Sequence, residues 1–180
     1  MASKSISIEV YTTSHRILGR VAPGAIGLLS HLNISTTSFL EIEGAHVTRL
    51  HQPSLMAARH PYLWTVKNEI LVILLSSRAE LGPSTYVRGG YSSTVPNWVR
   101  IIMGGYELRG IVETPGKFSF GMLMFEGDSM FIPLYDGDLS AILFPAVTAK
   151  STAMVFNRNM VDAIGLLGKD EIPLKPKESS

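Results

Sequence analysis

His15-Arg-Ile-Leu-Gly19-Arg-Val21 and Tyr106-Glu-Leu-Arg-Gly110-Ile-Val112 decide how this chain is to be read. Each stretch sets a glycine among aliphatic residues that alternate with polar ones, and Gly110 follows Gly19 at an offset of 91. The likeness spreads outward from these glycines. Upstream, Ile8 and Val10 meet Val99 and Ile101 at the same offset. Downstream, after a one-residue slip, Pro23-Gly24 meets Pro115-Gly116, and Phe39-Leu-Glu-Ile42 meets Phe131-Ile-Pro-Leu134; Val47 and Leu50 then meet Leu139 and Ile142. The offset returns to 91 where Asn68, Ile70 and Ile73 align with Asn159, Val161 and Ile164. Short blocks that keep their order with single-residue slips point to a duplication, whereas shared alternation alone would not preserve the spacing.

Period and composition make each repeat β. Ile6, Ile8 and Val10 alternate with polar residues, as do Ile17, Gly19 and Val21, which is the pattern of half-buried strands. Residues 39–50 and 131–143 read as longer strands bent at Glu43-Gly44 and at Tyr135-Asp-Gly-Asp138, since glycine inside a strand marks a bulge or bend. Closing strands are expected over 62–67 with 70–75, and over 154–156 with 161–166. The only helix expected is two turns over Pro53-Ser-Leu-Met-Ala-Ala-Arg-His60, capped by Ser54. The expected fold class is therefore all-β with little helix: two tandem repeats of a small, strongly bent five- to six-stranded β-barrel, because closure removes exposed edges. The first repeat is expected over 4–77 and the second over 97–168. A Gly/Pro/Ser-rich linker, 78–96, separates them and a disordered tail, 169–180, follows. The expected core is Ile8, Val10, Ile17, Val21, Phe39, Ile42, Val47, Ile70 and Val72, with Ile101, Leu108, Val112, Phe131, Leu134, Val161 and Ile164 in the second repeat.

Composition narrows the function classes. The chain has 180 residues, 46% of them hydrophobic and 17% charged, a balance that buries a core and excludes wholesale disorder. It has no cysteine, which excludes disulfides, a thiol nucleophile and cysteine-ligated zinc. The net charge of +1 lacks the basic excess of a committed nucleic-acid binder. The longest aliphatic run, 70–75, is strand length rather than membrane length, and no apolar leader opens the chain, so a cytoplasmic protein without membrane contact is expected. Residues 1–77 carry net +2 and residues 98–168 net −2. Opposite halves favour head-to-tail contact between copies, closing into a ring where the rotation permits.

No constellation stands out as catalytic. All five histidines, His15, His31, His46, His51 and His60, fall in the first repeat without metal-ligand spacing, so neither metal nor cofactor is expected. Asp136-Gly-Asp138 is the best acid pair, and a hydrolase using Asp136 and Asp138 is the enzyme alternative. Neither a G-x-S-x-G elbow nor a phosphate-binding loop occurs. Tyr86-Val-Arg88-Gly-Gly-Tyr91 places one RGG-like element between aromatics, a weak form of the stacking and charge that hold single-stranded nucleic acid.

Arg16-x-x-x-Arg20 followed by Asn33-x-Ser35 resembles the PilZ pattern that binds cyclic dinucleotides, although Ser38 stands in place of its glycine. The five-strand order, the second-strand glycine, the long bent third strand, and Lys67-Asn68-x-Ile70 and Arg158-Asn159-x-Val161 resemble the Sm-like small barrels, of SH3-like build. That resemblance implies ring assembly and RNA binding. Ser30-His-Leu-Asn33 with the later Phe39-Leu-Glu-Ile block is also similar to an uncharacterised family of bacterial β domains, which implies no activity. The expected function is a non-catalytic binding or assembly module whose main partner is itself, with RNA or a cyclic dinucleotide as the alternative ligand. Arg16, Arg20, Lys67, Asn68, Arg158 and Asn159 are the candidate ligand-binding residues.

Overall fold

A computed structural model describes residues 5–83 and 94–172. The first half contributes β1 (Ile6–Tyr11), β2 (His15–Val21), α1 (Leu28–Leu32), β3 (Phe39–Arg49), β4 (Met56–Val66) and β5 (Val72–Leu75). The second contributes β6 (Val95–Met103), β7 (Tyr106–Thr114), α2 (Phe120–Phe125), β8 (Phe131–Ala141), β9 (Thr148–Asn157) and β10 (Val161–Leu166). The all-β class with little helix is what the chain adopts. Its ten antiparallel strands form one open sheet in the order β10-β6-β7-β8-β9-β5-β1-β2-β3-β4. The first half thus runs β5-β1-β2-β3-β4 and the second β10-β6-β7-β8-β9. Within them Ile8 pairs with Gly19, and Val99 with Gly110.

The glycines let the long third strand of each half bend across the second. A Cβ on Gly19 would overlap Ile42 Cγ2, and one on Gly110 would lie 2.8 Å from both Leu134 Cγ and the Tyr135 carbonyl oxygen. The pairing register slips beside each glycine, between Leu18 and Arg20 and between Arg109 and Ile111. The bend falls at Gly44, φ +62°, in β3 and at Asp136, φ +47°, in β8. Such left-handed backbone is strained for a residue with a Cβ.

Alternating residues then build two buried clusters. One gathers Ile8, Val10, Ile17, Val21, Ile42, Ile70 and Ile73, and the other Val99, Ile101, Leu108, Val112, Leu134 and Leu139. Strand β5 is shared between them: Ile73 and Leu75 enter the first cluster, Val72 and Leu74 the second. Its outer edge pairs with β9 from Val72↔Phe156 to Leu75↔Ala153. Because β9 occupies that edge, the sheet stays open and ends on β4 and β10.

Several local expectations are corrected. Met56 to His60 belong to β4, paired with β3, so the two-turn helix over 53–60 does not form; cross-strand pairing overrides local helix propensity there. Phe39 is exposed, Val47, Val161 and Ile164 are half-buried, and the remaining expected core is buried. Within 78–96, Arg78–Leu81 is a 3₁₀ turn with a Ser77/Glu80 capping box, and Val95 already opens β6. The RGG-like element lies outside the described residues. Within 169–180, Lys169–Glu171 is a 3₁₀ turn held by Arg100 Nη2 donating to Glu171 Oε1 at 2.8 Å. No helix among the described residues is long and apolar enough to cross a membrane.

Candidate functional site

The six candidate ligand-binding residues do not converge. Lys67 is buried, and its Nζ donates to the carbonyl oxygens of His31 and Ile34 at 3.0 and 3.2 Å. Burial holds this amine below the usual lysine range. Arg158 donates from Nη1 to the Glu126 carbonyl at 2.7 Å and from Nη2 to the Gly127 carbonyl at 2.5 Å. Each cation opens the 3₁₀ turn before the last strand of its half, and each fastens the connection that carries α1 or α2. Asn68 and Asn159 are exposed on those same turns. Arg16 Nε lies 3.5 Å from Glu9 Oε1, the atom that also accepts from Tyr11 Oη at 2.6 Å. Burial, and then that carboxylate, push the Tyr11 phenol well above its ordinary range. Arg20 sits 3.5 Å from Glu43 on the surface.

A groove of about 680 Å³ does carry positive charge, lined by Arg20, His46, Arg59 and His60 beside Gly19 and Gly44. Arg59 Nε donates to His46 Nε2 at 2.8 Å. A groove of about 550 Å³ in the second half is mixed instead, with Glu107, Arg109, Asp138 and Lys150. There Lys150 Nζ holds Asp138 at 3.1 Å, while Arg78 Nη2 donates to Asp136 at 2.9 Å. The two acids are thus engaged by separate cations, an arrangement that does not set them to share a proton. Among the described residues no group of three His, Asp or Glu side chains could hold a metal ion.

The most developed constellation lies where the halves meet. Asn33, at the end of α1, donates from Nδ2 to the Phe131 carbonyl at 3.0 Å and accepts from the Phe131 N–H at 2.8 Å. Buried Asn157 donates to the Ile70 carbonyl at 3.0 Å. Arg78 lies 4.2 Å over the Tyr135 ring, between Asp136 and Glu113. Leu28, Leu29 and Leu32 of α1 join a cluster that includes Phe131, Ala153 and Val155 from the other half. Gly27 and Gly82 let the start of α1 lie close against the 3₁₀ turn after β5, since a Cβ on either would stand 2.5 Å from the other's Cα. Sequence reasoning missed this joint. Its available signal was the unbroken apolar run Ile70-Leu-Val-Ile-Leu-Leu75, the mark of a strand covered on both faces.

No family model, curated protein or solved structure matches this chain.

Proposed function

We propose that this protein is a non-catalytic binding and assembly module, built by duplication of a small, strongly bent, barrel-like β unit. The observation that carries the reading is that β5 and β9 join the two units edge to edge, leaving a β edge at each end of the sheet. The duplication is supported by the common strand order, by the like placement of Gly19 and Gly110, and by Lys67 and Arg158 fastening like connections. Exposed strand edges present unpaired N–H and C=O groups, and a module that uses them for assembly has a reason to keep them. Light scattering on the full chain at two protein concentrations and two salt levels tests it. A mass above 19.7 kDa is expected, and 19.7 kDa throughout would overturn self-assembly.

The cationic groove favours a second reading, binding of a single-stranded RNA or cyclic dinucleotide through its phosphates. Arg20 and Arg59 would supply the charge, with His46 and His60 lining the groove as neutral hydrogen-bonding groups, rather than Lys67 or Arg158. Titration at low salt should then give saturable binding that weakens steeply as salt rises; no saturable signal at micromolar protein removes it.

A further inference from the structure

This inference rests on the assembly reading and names the partner. We propose that a second copy of this chain seats its β3–β4 edge against β10 and α2, repeating between chains the joint that β5 and α1 make with β8 and β9 within one.

The strand registers give the equivalences. Ile8 pairs with both Gly19 and Leu75, and Val99 with both Gly110 and Leu166, so Leu166 holds the place of Leu75. Phe39 faces Val66 as Phe131 faces Asn157, and Glu43 faces Tyr62 as Tyr135 faces Ala153. Tyr62 and Trp64 therefore hold the places of Ala153 and Val155. Carried to the chain ends, the internal pairing sets Leu166 opposite Tyr62 and Ile164 opposite Trp64.

Burial separates the members of each equivalent pair. Val155 is 0% exposed and Trp64 58%; Leu75 is 4% and Leu166 57%; Phe131 is 1% and Phe39 44%. On one end the uncovered apolar residues are Phe39, Tyr62, Trp64 and Val66. On the other they are Leu166 with Phe120, Met122 and Phe125 of α2, which lies between the second and third strands of its half as α1 does. Single exposed apolar residues are ordinary, but exposed ones that hold the places of buried ones at the internal joint mark a contact surface.

Charge agrees with the same seating. Arg78 opens the 3₁₀ turn after β5 and reaches Tyr135 and Asp136 across the internal joint. Lys169 opens the 3₁₀ turn after β10. The place of Tyr135 is taken at the free end by Glu43, so a cation would again meet an acceptor. One chain thus carries both complementary surfaces, and the contact is heterologous, closing into a ring where its rotation allows.

Mixing of two edge variants of the full chain, read by sedimentation or light scattering, tests this directly. Trp64→Lys blocks the β4 edge and Leu166→Glu the β10 edge; Ala163→Lys, at an exposed position, is a second β10 block should Leu166→Glu unfold the chain. The wild type is expected above 19.7 kDa, each variant alone at that mass, and an equimolar mixture at twice it, since one intact edge of each kind remains. A wild type that assembles while both blocks leave its mass unchanged, or a mixture that stays monomeric, overturns this interface and leaves the assembly reading standing. A wild type at 19.7 kDa at every concentration overturns both.

Discussion

Under the proposed duplication, the centre of the sheet and its two ends use corresponding strands in opposite surroundings. In the centre, β5 and β9 cover each other, and Ile73, Leu75, Ala153 and Val155 are fully buried. At the ends, β4 and β10 hold the corresponding positions with Tyr62, Trp64 and Leu166 exposed. The difference lies in what covers each strand rather than in the kind of strand. Apolar side chains stand at the ends although nothing among the described residues buries them.

The sharpest way to break that comparison is to place a charge on each side of it. Val155→Asp puts an unpaired carboxylate into the buried joint and should cost about 4 kcal/mol or more. Trp64→Asp in the corresponding place at the end gives up the exposed Trp64 Nε1–Glu41 bond and the stacking on Tyr62 and sets an acid opposite Glu41, and should cost only about 1–2 kcal/mol in dilute solution. Urea unfolding at low protein concentration measures both, and equal costs would deny that the two places differ.

Crowding at the bends offers a comparison between the halves themselves. Gly19→Ala and Gly110→Ala should each lose about 1–3 kcal/mol, because Ile42 and Leu134 must move. Gly116→Ala, where a Cβ meets nothing within 4 Å, serves as the control and should change little. A cost at only one of the two bend positions would count against a shared unit.

At the joint, Asn33→Ala strips both backbone groups of Phe131 of their side-chain partner. A loss of about 1–3 kcal/mol is expected in chemical denaturation. Phe125→Ala, at the exposed end of α2, should leave the dilute chain nearly unaffected, and a comparable loss there would contradict the account.

The smallest effect concerns pH. His31 lies beside the joint with its imidazole held below the usual 6.5, first by burial and then by the Lys67 charge. A lowered folded value means that the unfolded chain takes up the proton first, so the stability His31 contributes is present above 6.5 and is lost as pH falls below it. Melting temperatures between pH 7 and pH 5 should decline less in His31→Gln than in the wild type.

What the sequence made legible was whatever crowding or alternation had written into it. Gly19 and Gly110 could be found because a bent strand packed over the second strand leaves no room for a Cβ. The strand skeleton followed from residues such as Ile8, Val10, Ile101 and Leu108, which face a core at every second position. Lys67 and Arg158 were legible as cations, but the carbonyl oxygens they hold were not, since no residue type announces a backbone partner. The residues 53–60 carry helix formers, and only their pairing with β3 makes them a strand. α1 escaped notice because a five-residue helix shows barely more than one turn of periodicity, and the joint because partners as distant as Asn33 and Phe131 leave no local trace.

The most direct test of the whole account is amide hydrogen exchange followed across protein concentration. Amides of β5 and β9 should exchange slowly at every concentration, while the outward-pointing amides of residues 62–66 and 163–166, those not bonded to β3 or β6, should pass from fast to slow as concentration rises and the ends become covered. Fast exchange of those outward amides at all concentrations, beside a protected centre, would contradict it.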